Sequence, residues 1–170
     1  NVDSIGDQSE YIINIVNILK EELTIIYPLL TSSIHTLLCN KLVEKLLNDY
    51  MNAVYKCKKV STLAAKQLTI DYTVFKSILN ELPLIGAPKV TNLGAAKSTK
   101  FKLKRIYKIF LNKKFKKFDS IFKTIQCEPS YIIETYQLLV KPPLLSDLTR
   151  IMDIKNIKKS EQQILINTYN

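Results

Sequence analysis

Histidine occurs once in this chain, at His35, and glycine only three times. Acid–base and nucleophilic catalysis most often rest on a histidine held within hydrogen-bond reach of its partner, and this one lies inside an apolar stretch. No Gly-rich phosphate loop, GxSxG, HExxH or EF-hand loop occurs. Only carboxylates converging in space without a motif could still supply chemistry. A non-enzymatic chain is therefore expected, with no catalytic residues, no cofactor and no bound metal. The same shortage of glycine leaves little turn chemistry for hairpins, and no segment sustains strand alternation, so the expected fold class is all-α.

Cysteine is scarce as well. Cys39, Cys57 and Cys127 are widely spaced and odd in number, which gives neither a disulfide framework nor a CxxC site and fits a reducing, cytosolic setting. His35 and Cys39 have helical ligand spacing, but a tetrahedral zinc site needs two more ligands; they read as two residues of a packing face. The longest uncharged run, Leu23 to Asn40, contains Pro28, His35 and several hydroxyl side chains. That is a poor bilayer span and a good junction between two buried helices. Asn1 in place of Met, with no secretory signal pattern, suggests a piece cut from a longer chain.

The apolar content of 46% is enough for a packed interior. Charge is present but uneven. Between Lys97 and Lys123 stand eleven basic residues against Asp119 alone, while the rest of the chain carries fourteen bases and fourteen acids. The net charge of +10 thus belongs to one segment of an otherwise neutral body.

Apolar periodicity of three and four residues predicts a series of helices. The first starts at Asp7, paired with Glu10 at capping-box spacing, and buries Ile12, Ile15, Val16, Leu19, Leu23 and Ile26 until Pro28. A second from about Thr31 to Tyr55 carries the stripe Ile34, Leu37, Leu38, Leu42, Leu46, Tyr50 and Val54. A third, capped by Ser61, runs to Pro83 through Tyr72, Phe75, Ile78, Leu79 and Leu82. The stretch from Pro83 to Ser98 holds two glycines and two prolines and reads as a loop. A basic amphipathic helix comes next, its core stripe drawn through Leu103, Ile106, Phe110, Leu111, Phe115, Phe118, Phe122 and Ile125, with a break near Asn112. Pro129 opens a helix that Pro142 and Pro143 stop. Two short helices end the chain, one from Leu145 to Asp153 and one from Ser160 to Tyr169, the latter with Ser160 and Gln163 as a capping box and Ile164 and Leu165 inward. The expected organisation is two consecutive helical bundles forming a rod, residues 1–86 and 99–170, joined by a loop or linker at 87–98.

Three blocks of residues carry a resemblance. They are NVDSIGDQSEYIINIV from Asn1, LAAKQLTIDYTVFKSILNELPLIG ending at Gly86, and YIIETYQLLV from Tyr131 with LTRIMDIKNIKKSEQ after it. The chain resembles the C-terminal region of the vacuolar-protein-sorting fifty-three subunits of the Golgi-associated retrograde protein (GARP) tethering complex. The run Gly6 to Ser9, the block Asp71 to Gly86 and the block Ile154 to Gln162 are its most specific parts. The basic segment departs from the family, which is less lysine-rich there, and Asn156 stands where the family has glycine; Asn is the other residue that tolerates a left-handed backbone. The resemblance implies a helical rod of the exocyst-like kind and a peripheral membrane complex on the cytosolic face of the trans-Golgi network and endosomes. Such a complex captures endosome-derived vesicles. It also implies as partners the other tethering subunits, bound largely through an N-terminal region, together with SNAREs, small GTPases and vesicle proteins.

Two surfaces follow from the sequence. Lys104, Arg105, Lys108, Lys113, Lys114, Lys116 and Lys117 form a candidate contact with an anionic surface, either lipid or an acidic protein, set against the plainer reading of a solvated face. Nucleic acid is the less favoured alternative. It would use the interleaved Phe101, Tyr107, Phe110 and Phe115 for stacking, without any recognised nucleic-acid-binding motif. Lys155, Lys158, Lys159, Ser160, Glu161 and Gln162 form a candidate partner-docking turn, set against a helix cap at Ser160.

Overall fold

The computed structural model describes the backbone of residues 6–87 and 96–169 and the side chains of 6–87 and 105–167. These residues form seven α-helices and no strand, so the fold is all-α. They are α1 Glu10–Ile26, α2 Ser32–Tyr55, α3 Thr62–Glu81, α4 Ala96–Gln126, α5 Ile132–Leu139, α6 Leu145–Ile154 and α7 Lys159–Tyr169. Single 3-10 turns at Tyr27–Leu29, Leu82–Leu84 and Pro129–Tyr131 each contain a proline. Pro lacks the N–H that an α-helix interior requires, so the tighter turn forms at helix boundaries instead. The uncharged run 23–40 is split by the first of these turns. Among the described residues no helix is long and apolar enough to cross a membrane.

Helix starts follow local chemistry at two of the expected places. Thr31 Oγ1 accepts from the Ile34 amide at 3.4 Å, and Ser61 Oγ from the Ala64 amide at 3.1 Å. At the first helix the expectation fails. The N-cap is Ser9, not Asp7, and its side chain does not cap; it turns instead to Asp71. The last helix starts at Lys159, so Ser160 lies inside it and is no cap.

The buried stripes correct three further expectations. On α2 the core face runs through His35, Cys39, Val43, Leu47, Tyr50, Met51 and Val54; His35, Cys39, Tyr50 and Val54 are inside as expected, whereas Ile34 and Leu37 face solvent. His35 sits edge-on to Tyr27, with ring centroids 4.6 Å apart, and Cys39 Sγ lies 3.8 Å from its Nε2. Polar groups with partners can be buried cheaply, and this shifts the face by one residue from the most apolar stripe. Helix α4 passes through Asn112 without a break. Asn costs only a fraction of a kcal/mol in an exposed helix interior, about 0.7 at most, and Leu111 and Phe115 on either side of it are both in the core. Ile106 and Ile164, both expected inside, are 58% and 68% exposed.

The described residues pack into two compact units. The first takes residues 6–7, 48–70 and 116–169; the second takes 8–47, 71–87 and 96–115. Each unit therefore draws on both sides of the stretch 87–98, where residues 88–95 lie outside the described ones and α4 begins at Ala96. In the first unit Tyr50 and Phe122 pack with ring centroids 6.0 Å apart, and the Val60 amide donates to the Ile154 carbonyl. Tyr136, fully buried, donates its hydroxyl to the Leu144 carbonyl and accepts from the Leu144 amide, which ties down the double-proline loop. In the second unit the Tyr107 hydroxyl donates to the Leu79 carbonyl at 2.6 Å. Gly86 closes α3 against α1 at φ +74; an added Cβ would stand 2.7 Å from Tyr27 Cβ and 3.0 Å from the Leu23 carbonyl oxygen. Only glycine meets both conditions there.

Candidate functional site

Helix α4 divides its basic residues by what lies beneath them. Its inward face is Tyr107, Leu111 and Phe115 in the second unit and Phe118, Phe122 and Ile125 in the first, all buried. The lysines beside that face find acids. Lys114 Nζ lies 2.7 Å from Glu44 and 5.5 Å from the Phe110 ring centroid; in the first unit Lys117 Nζ lies 2.7 Å from the largely buried Asp147. The hydrogen bond and charge of Lys114 hold the Glu44 carboxyl below its usual range. Arg105, Lys108 and Lys113 point to solvent in the second unit, and Lys116 does so in the first. The side chain of Lys104 lies outside the described residues.

This arrangement separates the candidate anionic contact into two classes. Lys114 and Lys117 are internal ion-pair members, and Arg105, Lys108, Lys113 and Lys116 are outward-facing. It also weakens the nucleic-acid alternative. Tyr107 and Phe115 are core residues and Phe110 is half-buried under Lys114, so they present no open face for base stacking; Phe101 lies outside the described side chains.

The candidate docking turn is likewise redistributed. Residues Ile154 to Lys158 form a left-handed reversal in which Asn156 takes φ 58 and the Ile157 amide donates to the Met152 carbonyl. Asparagine therefore does adopt the backbone that its replacement of a glycine implied. Gln162, read as a surface residue, is buried: its amide donates to Asp153 Oδ1 at 2.8 Å and to the Ile157 carbonyl at 2.9 Å. Lys159 pairs with Asp153. Burial works against the Asp153 carboxylate, but the Lys159 ammonium and the Gln162 amide together outweigh it and leave its pKa lowered. Lys155 is half-buried, and that burial lowers its pKa. Lys158, Lys159, Ser160 and Glu161 are the exposed part of the set, and of these Lys159 is already paired with Asp153.

A residue the sequence reading passed over organises the start of the second unit. Asp71 is buried on α3 at 1% exposure. Its Oδ1 accepts from the Ser9 amide at 2.8 Å, and its Oδ2 accepts from Ser9 Oγ at 2.8 Å and from the Tyr11 hydroxyl at 2.7 Å. In the first unit Gln67, four residues earlier, donates to the Asp7 carbonyl at 2.9 Å and accepts from the Gly6 amide at 3.5 Å. Gly6 to Ser9 and the residues around Asp71 had been singled out separately. Nothing in apolar periodicity links positions some sixty residues apart, so the pairing had no local signal.

No histidine is available to solvent chemistry. His35 is buried, which lowers its pKa, and burial pushes the neighbouring Cys39 thiol up to about 11, well away from thiolate reactivity. Burial likewise raises the Tyr55 and Tyr107 hydroxyls. Among the described residues no group of three or more His, Cys, Asp or Glu is placed to hold a metal ion.

Comparison with known proteins returns one consistent likeness. The chain is 25% identical over 169 residues to vacuolar protein sorting-associated protein 53 A of Arabidopsis thaliana, a match covering 99% of this chain and 19% of that protein. It is 23% identical over 173 residues to the vacuolar protein sorting-associated protein 53 homolog of Caenorhabditis elegans, covering 99% of this chain and 20% of that one. The chain thus spans about a fifth of the length of these relatives, in their C-terminal region. No family model matches the chain. No solved structure matches it significantly.

Proposed function

We propose that this chain is the C-terminal part of a multisubunit tethering-complex subunit similar to vacuolar protein sorting-associated protein 53, acting without catalysis. In this reading it serves the tethering of endosome-derived vesicles at the cytosolic face of the trans-Golgi network, as a peripheral component of a GARP-type complex. The observation that carries the reading is similarity along 99% of the chain to two relatives named for vacuolar protein sorting. Two features of the fold support it. Long helices pack into compact units, as suits a helical tethering subunit, and the one imidazole is buried beside Tyr27 and Cys39. Other tethering subunits, SNAREs, small GTPases and vesicle proteins are the proposed partners.

The exposed trio Lys158, Ser160 and Glu161, held by the buried Gln162 clasp beneath it, is the proposed partner-docking surface. A polar turn fixed from below can present side chains with little ordering cost. The test exchanges this chain for the corresponding segment of a full-length relative, in cells lacking that relative. The exchange is expected to restore sorting of vacuolar cargo and co-precipitation of the other subunits. Lys158→Glu with Glu161→Lys is expected to leave helicity intact and weaken recruitment. A folded chimaera that assembles but restores no sorting would sink the functional reading; normal sorting by the double variant would remove only the docking surface.

A further inference from the structure

The outward face of α4 in the second unit combines three features. Ile106 and Ile109 are 58% and 61% exposed. At helical spacing, Arg105, Lys108 and Lys113 border them, all exposed and, among the described residues, none engaged by an acid. No acidic residue occurs anywhere between Glu81 and Asp119. Apolar side chains cost free energy in water unless something covers them, and among the described residues the cations beside them meet no acid, unlike Lys114 on the same helix, which binds Glu44.

We propose that this face, Arg105, Ile106, Lys108, Ile109 and Lys113, is a contact for an anionic lipid bilayer. This face carries charge of one sign only, with aliphatic side chains set between the cations, an arrangement that suits a laterally uniform negative surface with an apolar layer beneath it. The two isoleucines enter the headgroup boundary while the basic side chains extend to lipid phosphates, as their long apolar stems allow. Because Tyr107, Leu111 and Phe115 stay in the core, the contact forms without opening the bundle. Nucleic acid is disfavoured because the exposed apolar groups are aliphatic and give no stacking platform.

The inference goes beyond the tethering reading and can be tested apart from it, with purified components. The 170-residue chain is co-sedimented with phosphatidylcholine vesicles and with the same vesicles doped with phosphatidylserine. Binding to the doped vesicles alone is expected, lost steeply with added salt. Each basic residue near an anionic surface contributes a factor of roughly five, so Arg105→Gln with Lys108→Gln and Lys113→Gln should weaken binding about a hundredfold at unchanged helicity. Ile106→Ser with Ile109→Ser should weaken it by about tenfold. Lys114→Gln should leave it within about twofold, since that charge is already neutralised by Glu44. Absence of wild-type binding to the doped vesicles overturns the proposal. So does binding that survives the triple substitution, or retention by nucleic acid or an acidic protein with none by vesicles. Each of these results leaves the sorting assay, and the function it tests, untouched.

Discussion

Each unit contains an aspartate clasp and a left-handed residue, and the two pairs are built on opposite plans. In the second unit Asp71 is buried and its donors, Ser9 and Tyr11, come from about sixty residues away; Gly86, equally remote, is wedged against Leu23, Thr24 and Tyr27. In the first unit Asp153 is 45% exposed at its side chain and its donors, Lys159 and Gln162, follow within nine residues; Asn156 turns in open solvent. A remote clasp holds tertiary structure, because its loss releases a whole segment. A local clasp shapes one turn, which a chain already confined by neighbouring helices would largely keep.

That contrast is broken most directly at Asp71. Asp71→Ala leaves the Ser9 amide, the Ser9 hydroxyl and the Tyr11 hydroxyl without this acceptor at a part-buried site, and hydrogen bonds to a charged group are worth about 1.5–3 kcal/mol each. Urea unfolding should show a loss of about 3 kcal/mol or more, with earlier exchange of the amides at the start of α1. A loss no greater than that of Asp153→Ala would mean the remote clasp holds nothing. Next in size is the pair of left-handed residues. Gly86→Ala combines an unfavourable φ with a Cβ at 2.7 Å from Tyr27 Cβ and should cost about 2 kcal/mol. Asn156→Gly meets no such crowding and should shift stability by only about half a kcal/mol. Equal effects at the two positions would show that the close approach at Gly86 is relieved by small movements.

The same distinction explains what could be read from the sequence. Helix count, the start of the second helix near Thr31, the cap at Ser61, and the α1 and α3 core stripes rest on interactions three or four residues apart, and these were legible. On α2 the packing-face reading of His35 and Cys39 holds, and Tyr50 and Val54 are inside as expected; Ile34 and Leu37 were misplaced because the first two turns pack through His35 against Tyr27, which contributes nothing to the period within α2. The capping box at Asp7 was misread because Ser9 serves a distant carboxylate in preference to its own helix. Gln162 looked like surface because it is polar; its burial depends on Asp153 and the Ile157 carbonyl both presenting acceptors to its amide. The basic helix was legible as basic, but which of its lysines are spent internally depends on where Glu44 and Asp147 fall.

The smallest effect sharpens the comparison through pH. The folded-state pKa of Asp153 lies below its ordinary value of 3.8; burial opposes this, and Lys159 and Gln162 prevail. A carboxylate so depressed contributes stability at every pH above its unfolded value, and the contribution disappears as pH falls through the folded one. The Lys159 and Asp153 side chains are substantially exposed, so solvent screening holds the contribution to a few tenths of a kcal/mol, about 0.5 at neutral pH. Asp153→Asn should therefore be slightly less stable than the wild type at pH 7, and the two unfolding curves should converge below about pH 4. The local clasp would then behave as a weak surface pair whose removal leaves the turn standing. A gap that stays constant or widens as acid is added would instead place Asp153 beside Asp71 among the remote, fold-defining contacts.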